Sequence, residues 1–268
     1  MSQAISCPGA GAGGGPLAGR SIVVTRPQDQ AASLCRAIRE AGGEAVLFPV
    51  IAIGPAPDDA ELRAIAQRLE DYDLAFFVSP NAVRHALDSL LPQRPWPARL
   101  RVATVGKGSE RELARYGLTA VIAPQAGFDS EAVIALPEFA ASAVAGRRVV
   151  IFRGDGGRDL LANTLRQRGA EVEFVTCYRR SRPEVDPAPL LSRALEKRLD
   201  ALLLTSSEGV DNLATIVGAA GMEVLKAVPV FTPHPRIAAR ARDVGFLAVV
   251  ETGAGDDGMV QALVSHFG

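Results

Sequence analysis

The residues best suited to chemistry recur at one kind of place, just after a short apolar run and just before an amphipathic one. Thr25 and Arg26 follow Ile22-Val23-Val24, Ser79, Asn81 and Ala82 follow Asp73 to Val78, and Gly106 and Lys107 follow Val102 to Val105. Arg153 and Gly154 follow Val149 to Phe152, Ser206, Ser207 and Glu208 follow Ala201 to Leu204, and Thr232 to Arg236, with His234 between them, follow Val228 to Phe231. Short, β-branched, fully apolar runs read as strands buried on both faces of a parallel sheet. In open sheets of this kind ligands bind beyond the carboxyl ends of the strands, where helix N-termini offer unpaired N–H groups. Hydroxyls, free N–H groups and an occasional cation at those ends are the chemistry of binding carboxylates or phosphates. Ser79 and Ser206 also suit helix N-caps, so capping and ligand binding both remain open for them. An arginine at 26 and again at 153 is not something capping requires, which leaves an anionic ligand or a structural ion pair.

Tyr178 ends a strand that begins at Glu171, and strand alternation puts it on the face of Val172, Phe174 and Thr176. It reads either as a core or hinge tyrosine or as a phenol able to give a proton to a leaving hydroxyl. Cys7, Cys35, Cys177, His85, His234 and His266 are scattered, with no metal-ligand spacing, so no metal site and no disulfide framework is expected. No Ser/His/Asp or paired-carboxylate set is visible either. Gly9, Gly11 and Gly14 satisfy the dinucleotide fingerprint only formally, since no strand precedes them, and among Gly154, Gly156 and Gly157 the third glycine position is taken by Asp159. A nucleotide ligand is not expected.

The elements that would position these residues repeat. Gly19-Arg20-Ser21-Ile22-Val23-Val24 restarts as Gly146-Arg147-Arg148-Val149-Val150-Ile151, an offset of 127 residues that also maps Gly42 on Gly169, Asp73 on Asp200, Ser79 on Ser206 and Val83 on Val210. That period suits a tandem pair of small α/β domains rather than a solenoid. Each copy reads as βαβ, a linker, and further strand-helix units: Gly54 to Asp59 is the linker of the first copy and Ser181 to Pro189 that of the second. Residues 1–18, rich in Gly, Ala and Pro without periodicity, read as a disordered leader. With 48% hydrophobic and 22% charged residues in 268 the chain can bury two cores, and a net charge of −1 gives no basic field for nucleic acid. The apolar runs are strand-sized, too short to span a membrane, and no basic start followed by an apolar core reads as a secretory signal, so a cytoplasmic protein is expected.

In order and spacing, Val23-Val24-Thr25-Arg26-Pro27, Phe77-Val78-Ser79-Pro80-Asn81-Ala82-Val83, Val105-Gly106-Lys107, Arg153-Gly154 with Gly157-Arg158, Tyr178-Arg179-Arg180 and Thr205-Ser206-Ser207-Glu208 with Asn212-Leu213 resemble the uroporphyrinogen-III synthase family. The resemblance covers nearly all of the chain from Gly19. It departs at Gly108-Ser109, where Ala-Thr is more usual, and at the proline-rich Thr232-Pro233-His234-Pro235. It implies a cofactor-free, monomeric enzyme of haem and sirohaem synthesis that closes a linear tetrapyrrole polycarboxylate, hydroxymethylbilane, to uroporphyrinogen III while inverting ring D. It further implies two doubly wound parallel-sheet domains joined by a two-stranded connector, with an interdomain cleft. One domain would take 19–50 plus 182–268 and the other 55–178, with connectors at 51–54 and 179–181, whereas the period alone would divide the chain near 145. Tyr178 matches the tyrosine held to help the hydroxyl depart. Two other readings of such a chain are a non-catalytic tetrapyrrole-sensing module of the same fold and a small two-domain nucleotide-sugar transferase.

Overall fold

A computed structural model of the chain describes residues 14–127 and 129–268. The first part of the chain forms β1 (Ser21–Val24), α1 (Ala32–Glu40) and β2 (Glu44–Leu47). It continues with β3 (Ala52–Pro55), α2 (Ala60–Gln67), β4 (Leu74–Phe77), α3 (Pro80–Leu90), β5 (Arg101–Thr104), α4 (Lys107–Arg115) and β6 (Val121–Ile122). Then come α5 (Ser130–Ile134), α6 (Ala141–Val144), β7 (Arg148–Gly154), α7 (Leu160–Gln167) and β8 (Glu171–Ser181). The last part is α8 (Ala188–Leu195), β9 (Ala201–Leu203), α9 (Ser207–Leu225), β10 (Val230–Thr232), α10 (Pro235–Asp243), β11 (Val249–Glu251) and α11 (Gly255–Phe267).

Two compact units result. A discontinuous unit takes the described residues up to Ala52 together with Ser181–Gly268, and an inserted unit takes Ile53–Arg180, so the chain crosses between them after Ala52 and after Arg180. The discontinuous unit holds a five-stranded sheet in the order β11-β10-β9-β1-β2, and the inserted unit a six-stranded sheet in the order β3-β8-β7-β4-β5-β6. The repeat explains both orders. Ile22 pairs with Ala201 and Val149 with Leu74, each residue 127 positions from its counterpart, and Ser21 pairs with Glu44 as Arg148 does with Glu171. Each copy has thus exchanged its first two strands with the other, and the registers match residue for residue.

Within each sheet the side chains alternate between two cores, as strands covered on both faces require. In the discontinuous unit Val23, Val46, Leu202 and Val230 pack against α8, α9 and α10, while Ile22, Val24, Leu203 and Phe231 pack against α1 and α11. In the inserted unit Ala75, Phe77, Val102, Val150 and Phe152 pack with α2, α3 and α4, while Leu74, Phe76, Val149 and Ile151 pack with α5, α6 and α7.

The exchanged joints carry matching polar clamps. Asp200 accepts the Ser21 N–H at 2.8 Å and pairs with Arg20 at 3.0 Å, and Asp73, its counterpart, accepts the Arg148 N–H at 2.9 Å and pairs with Arg147 at 2.9 Å. Each carboxylate therefore ties the last turn before its own strand to the first residue of a strand from the other copy.

Several expectations are corrected. The expected leader ends before residue 18, because Leu17 is buried in the core of the discontinuous unit and donates its N–H to Ala41. Residues 1–13, with Cys7, Gly9 and Gly11, lie outside the described residues. The stretch from Gly54, expected to be a plain linker, begins within β3, where an outermost strand tolerates a terminal proline. The second linker is shorter than Ser181 to Pro189, since β8 runs through Arg179 and Arg180 to Ser181 and α8 opens at Ala188 on proline-stiffened φ angles.

Removing either clamp is expected to cost about 1–3 kcal/mol, the value of a charge-assisted bond whose N–H is left at a strand end. Asp200→Ala and Asp73→Ala should each lower the urea midpoint with little change in slope. A midpoint that does not move for either would show that the clamps contribute nothing.

Candidate functional site

In the inserted unit the polar strand ends of β4, β7 and β8 come together around Tyr178. Ser79 sits in extended backbone before α3, and its Oγ accepts the Ala82 N–H at 3.1 Å, so the cap reading of Ser79 holds. The same Oγ lies 3.2 Å from the Tyr178 hydroxyl, so it also serves a second group. Capping and the Tyr178 contact therefore share one oxygen.

Tyr178 does not share the face of Val172 and Phe174. Arg153 pairs with Thr176 but Gly154 pairs with Tyr178, which leaves Cys177 as an extra residue in a β-bulge. A bulge reverses the alternation beyond it. Cys177 and Tyr178 consequently both join the core beneath α2 and α3, with Val175, while Val172 and Phe174 pack on the opposite core. The phenol is almost wholly buried, at 3% exposure. Its ring lies over Gly154, where a Cβ would stand 2.8 Å from Cζ and 3.2 Å from the hydroxyl, so only glycine leaves room. The His85 ring stacks on Tyr178 with centroids 5.9 Å apart and planes 22° from parallel, and the Tyr178 carbonyl accepts the Asp155 N–H at 3.1 Å.

Cys177 supports this arrangement from behind, its thiol 3.2 Å from the Arg153 carbonyl and 3.7 Å from that of Ala82. Burial pushes the thiol up to about 12, so it stays protonated and acts as a donor, not a nucleophile. Tyr72 and Tyr116 are also pushed up to about 12, each by burial and then by a carboxylate it donates to, Glu173 and Asp88. Both belong to the scaffold. Gly106 lies in extended backbone before α4, and Gly108 approaches Pro80, which brings the Gly106-Lys107 loop beside the start of α3. Lys107 is half exposed and bonds Glu110 at 3.1 Å. Asn81 and Ala82 are buried in the first turn of α3.

Arg153 goes elsewhere. Its guanidinium lies 4.5 Å above the Phe174 ring, on the face opposite Tyr178, bonded to Asp159 at 2.6 Å and to the Gly157 carbonyl at 3.0 Å. Neighbours in sequence, Arg153 and Gly154 thus serve different sides of the sheet.

The discontinuous unit repeats the pattern with different chemistry. Ser206 caps α9 by accepting the Gly209 N–H at 2.9 Å, and His234 caps α10 through Nδ1, which accepts the Arg236 N–H at 3.1 Å. Thr25 is buried and donates to the Leu203 carbonyl at 2.6 Å. Arg26 is held by Asp256 at 2.5 Å, and Asp256 also accepts the Ser33 hydroxyl at 2.6 Å. Both repeated arginines therefore have carboxylate partners. Glu208 and Arg236 are exposed, while the hydroxyls of Ser207 and Thr232 are buried without a protein partner among the described residues. Such groups cost about 1–3 kcal/mol unless something outside the chain satisfies them. Asp256, His85 and Cys177 had no sequence signal, since each meets its partner only through the fold or the bulge.

Fold and site define a two-unit α/β protein with exchanged strands, whose polar groups gather at strand carboxyl ends in each unit. The uroporphyrinogen-III synthase HemD family model matches residues 32–261, and the chain belongs to that family. It is 31% identical to the uroporphyrinogen-III synthase of Escherichia coli (strain K12), over 91% of this chain and 99% of that one, and 32% identical to that of Salmonella typhimurium over the same shares. Among solved structures the fold resembles uroporphyrinogen-III synthetase from Helicobacter pylori 26695, with a TM-score of 0.59 at 12% identity, covering 92% of this chain and 99% of that one. A mutant uroporphyrinogen III synthase from the extremely thermophilic bacterium Thermus thermophilus gives 0.56 at 19% identity, covering 91% and 97%. No described helix is long and apolar enough to cross a membrane.

Two measurements check this geometry. Iodoacetamide at about pH 8 should leave Cys177 unmodified in the folded protein and label it after unfolding, as peptide mass mapping reads; native labelling would mean that the strand end opens. Gly154→Ala should cost about 1–3 kcal/mol of stability through overpacking against Tyr178, whereas Gly156→Ala, where a Cβ meets nothing within 4 Å, should stay within about 0.5 kcal/mol. Equal melting temperatures for the two variants would contradict the close approach.

Proposed function

We propose that this chain cyclises hydroxymethylbilane to uroporphyrinogen III, with loss of water and inversion of ring D, in tetrapyrrole biosynthesis. The observation that carries the reading is a buried phenol, Tyr178, bonded to a helix-capping serine at a strand end of a uroporphyrinogen-III synthase family chain. In this reading Tyr178 donates a proton to the departing hydroxyl, and water leaves to give an azafulvene. That electrophile attacks the substituted carbon of ring D, and the resulting spiro intermediate rearranges. Ser79 accepts from or donates to the phenol and so holds it in place, and Gly154 admits the ring.

Each unit has its own donors for carboxylates at its strand ends: the N–H groups that open α3 and α4 and Lys107 in the inserted unit, and in the discontinuous unit those that open α9 and α10, Arg26 and the hydroxyls of Ser207 and Thr232, which have no partner among the described residues. The exposed pair that occupies Lys107 is weak enough to exchange, since surface ion pairs contribute about 0–1 kcal/mol. Catalysis then rests on orienting a flexible chain and stabilising developing charge with preorganised dipoles. The same reading has the protein act as a monomer in the cytoplasm.

Purified protein supplied with hydroxymethylbilane generated in situ should yield the type III isomer, resolved by chromatography of the oxidised products. Type I alone, the product of unassisted closure, would overturn the enzymatic reading. Tyr178→Phe should lower kcat by about 100-fold, the lower end of general-acid effects, with KM nearly unchanged. Unaltered kcat would remove the phenol from the mechanism.

A further inference from the structure

The inserted unit has a second recess, on the face of its sheet opposite Tyr178. It measures about 200 Å³, with Ile151, Leu161 and Phe174 among its apolar lining and Arg153, Arg158 and Gly157 among its polar lining. Sites that enclose a drug-sized ligand measure roughly 300–1,000 Å³, so this one suits a fragment: one ring or one short arm, not a nucleotide and not a whole tetrapyrrole.

The polar lining decides the charge of that fragment. Arg153 is 13% exposed and fixed in plane, its guanidinium stacked on Phe174 and bonded to the Gly157 carbonyl. Its carboxylate partner is different in kind: Asp159 is 56% exposed. Arg158 pairs with Glu131 at 2.9 Å with both side chains more than half exposed. The third acidic group, Asp129, is committed to capping α5 through the Ala132 N–H at 2.8 Å. Two arginines against three carboxylates give no excess positive charge, which disfavours a polyanion. A single carboxylate can enter by replacing the exposed Asp159 carboxylate on Arg153, whose guanidinium is already held in place by Phe174 and the Gly157 carbonyl and offers a charge-assisted contact. Gly156 leaves the entrance clear, since a Cβ there would meet nothing within 4 Å.

We propose that this recess binds a small monocarboxylate with an apolar body, the acid seated on Arg153 and the body on Phe174, Ile151 and Leu161. Such a group is either one acid-bearing arm of the substrate, which rests on the function proposed above, or a free small acid, which does not.

The test is a titration of the whole protein with 3-phenylpropionate, followed by backbone amide NMR. Saturable shifts are expected at Gly157, Leu161 and Ala162, with a dissociation constant of about 1 mM for so small a ligand. The neutral isostere 3-phenylpropanamide should bind at least about tenfold more weakly, and Arg153→Gln should lose the same factor with the acid, since both remove the charge-assisted contact. Ala162→Leu, which fills the recess, should abolish the shifts. Absence of saturable shifts, equal affinity for acid and amide, or shifts confined to the Tyr178 side would overturn the proposal. Competition of 3-phenylpropionate with hydroxymethylbilane in turnover identifies the substrate arm; binding without competition identifies the free acid. Because the titration needs no turnover, it stands or falls separately from the enzymatic reading.

Discussion

Everything in this chain depends on one exchange. Sequence neighbours pair within each copy, but each sheet is completed only where β1 is hydrogen-bonded to β9, and β4 to β7, across the two copies of the repeat. Asp200 and Asp73 fix those joints at their starting edge by taking the first N–H of the incoming strand. The register matters because a slip of one residue would turn Ile22 and Val24 into the core meant for Val23. The entropic cost of bringing together strands so far apart rises only slowly with the length between them, so a whole unit can be carried as the connection from β2 to α8. The chain crosses twice for this reason: the discontinuous unit must be left before it is complete and entered again to be closed.

The exchange also decides where chemistry can occur. Parallel strands send all their carboxyl ends the same way, and at each end a helix begins with unpaired N–H groups. Ser79, Ser206 and His234 take part of that demand with their side chains. What remains is specific to each unit. The inserted unit uses the bulge at Cys177 to turn a tyrosine to the α3 side, and it leaves Arg153 on the other. Without the bulge the phenol would point at Phe174 and away from Ser79.

Much of this was legible beforehand, for physical reasons that can be named. The buried strands were visible because a strand covered on both faces must be apolar throughout, and the repeat because Asp73 and Asp200 do the same work at the same place. Helix starts at Ser79 and Ser206 were visible because capping needs a short polar side chain. The face of Tyr178 was not, since alternation counts residues and a bulge adds one that only pairing reveals. Nor was the pairing of Arg26 with Asp256, which lies at the far end of the chain and meets it only once β1 is inserted beside β9. β3 escaped because Gly54 and Pro55 have turn composition, and only a place at the sheet edge makes them strand.

The repeat finally separates what Ser79 and Tyr178 are for. Shifted by 127 residues, Ser79 becomes Ser206 and Ala82 becomes Gly209, and in both copies the serine oxygen accepts the N–H three residues on. The scaffold therefore requires the serine in either unit. Tyr178 becomes Ile51, whose Cδ1 would stand 3.9 Å from a Cβ on Gly209, with Val50 closer still. An alkyl chain fills that position adequately, so packing does not require a phenol there. The hydroxyl in the inserted unit instead imposes a cost, because it must be given a partner when buried, and the cap oxygen of Ser79 supplies it. Packing thus leaves this buried polar group unexplained where the twin site does without one, and this asymmetry is the reason the proposed chemistry is assigned to Tyr178.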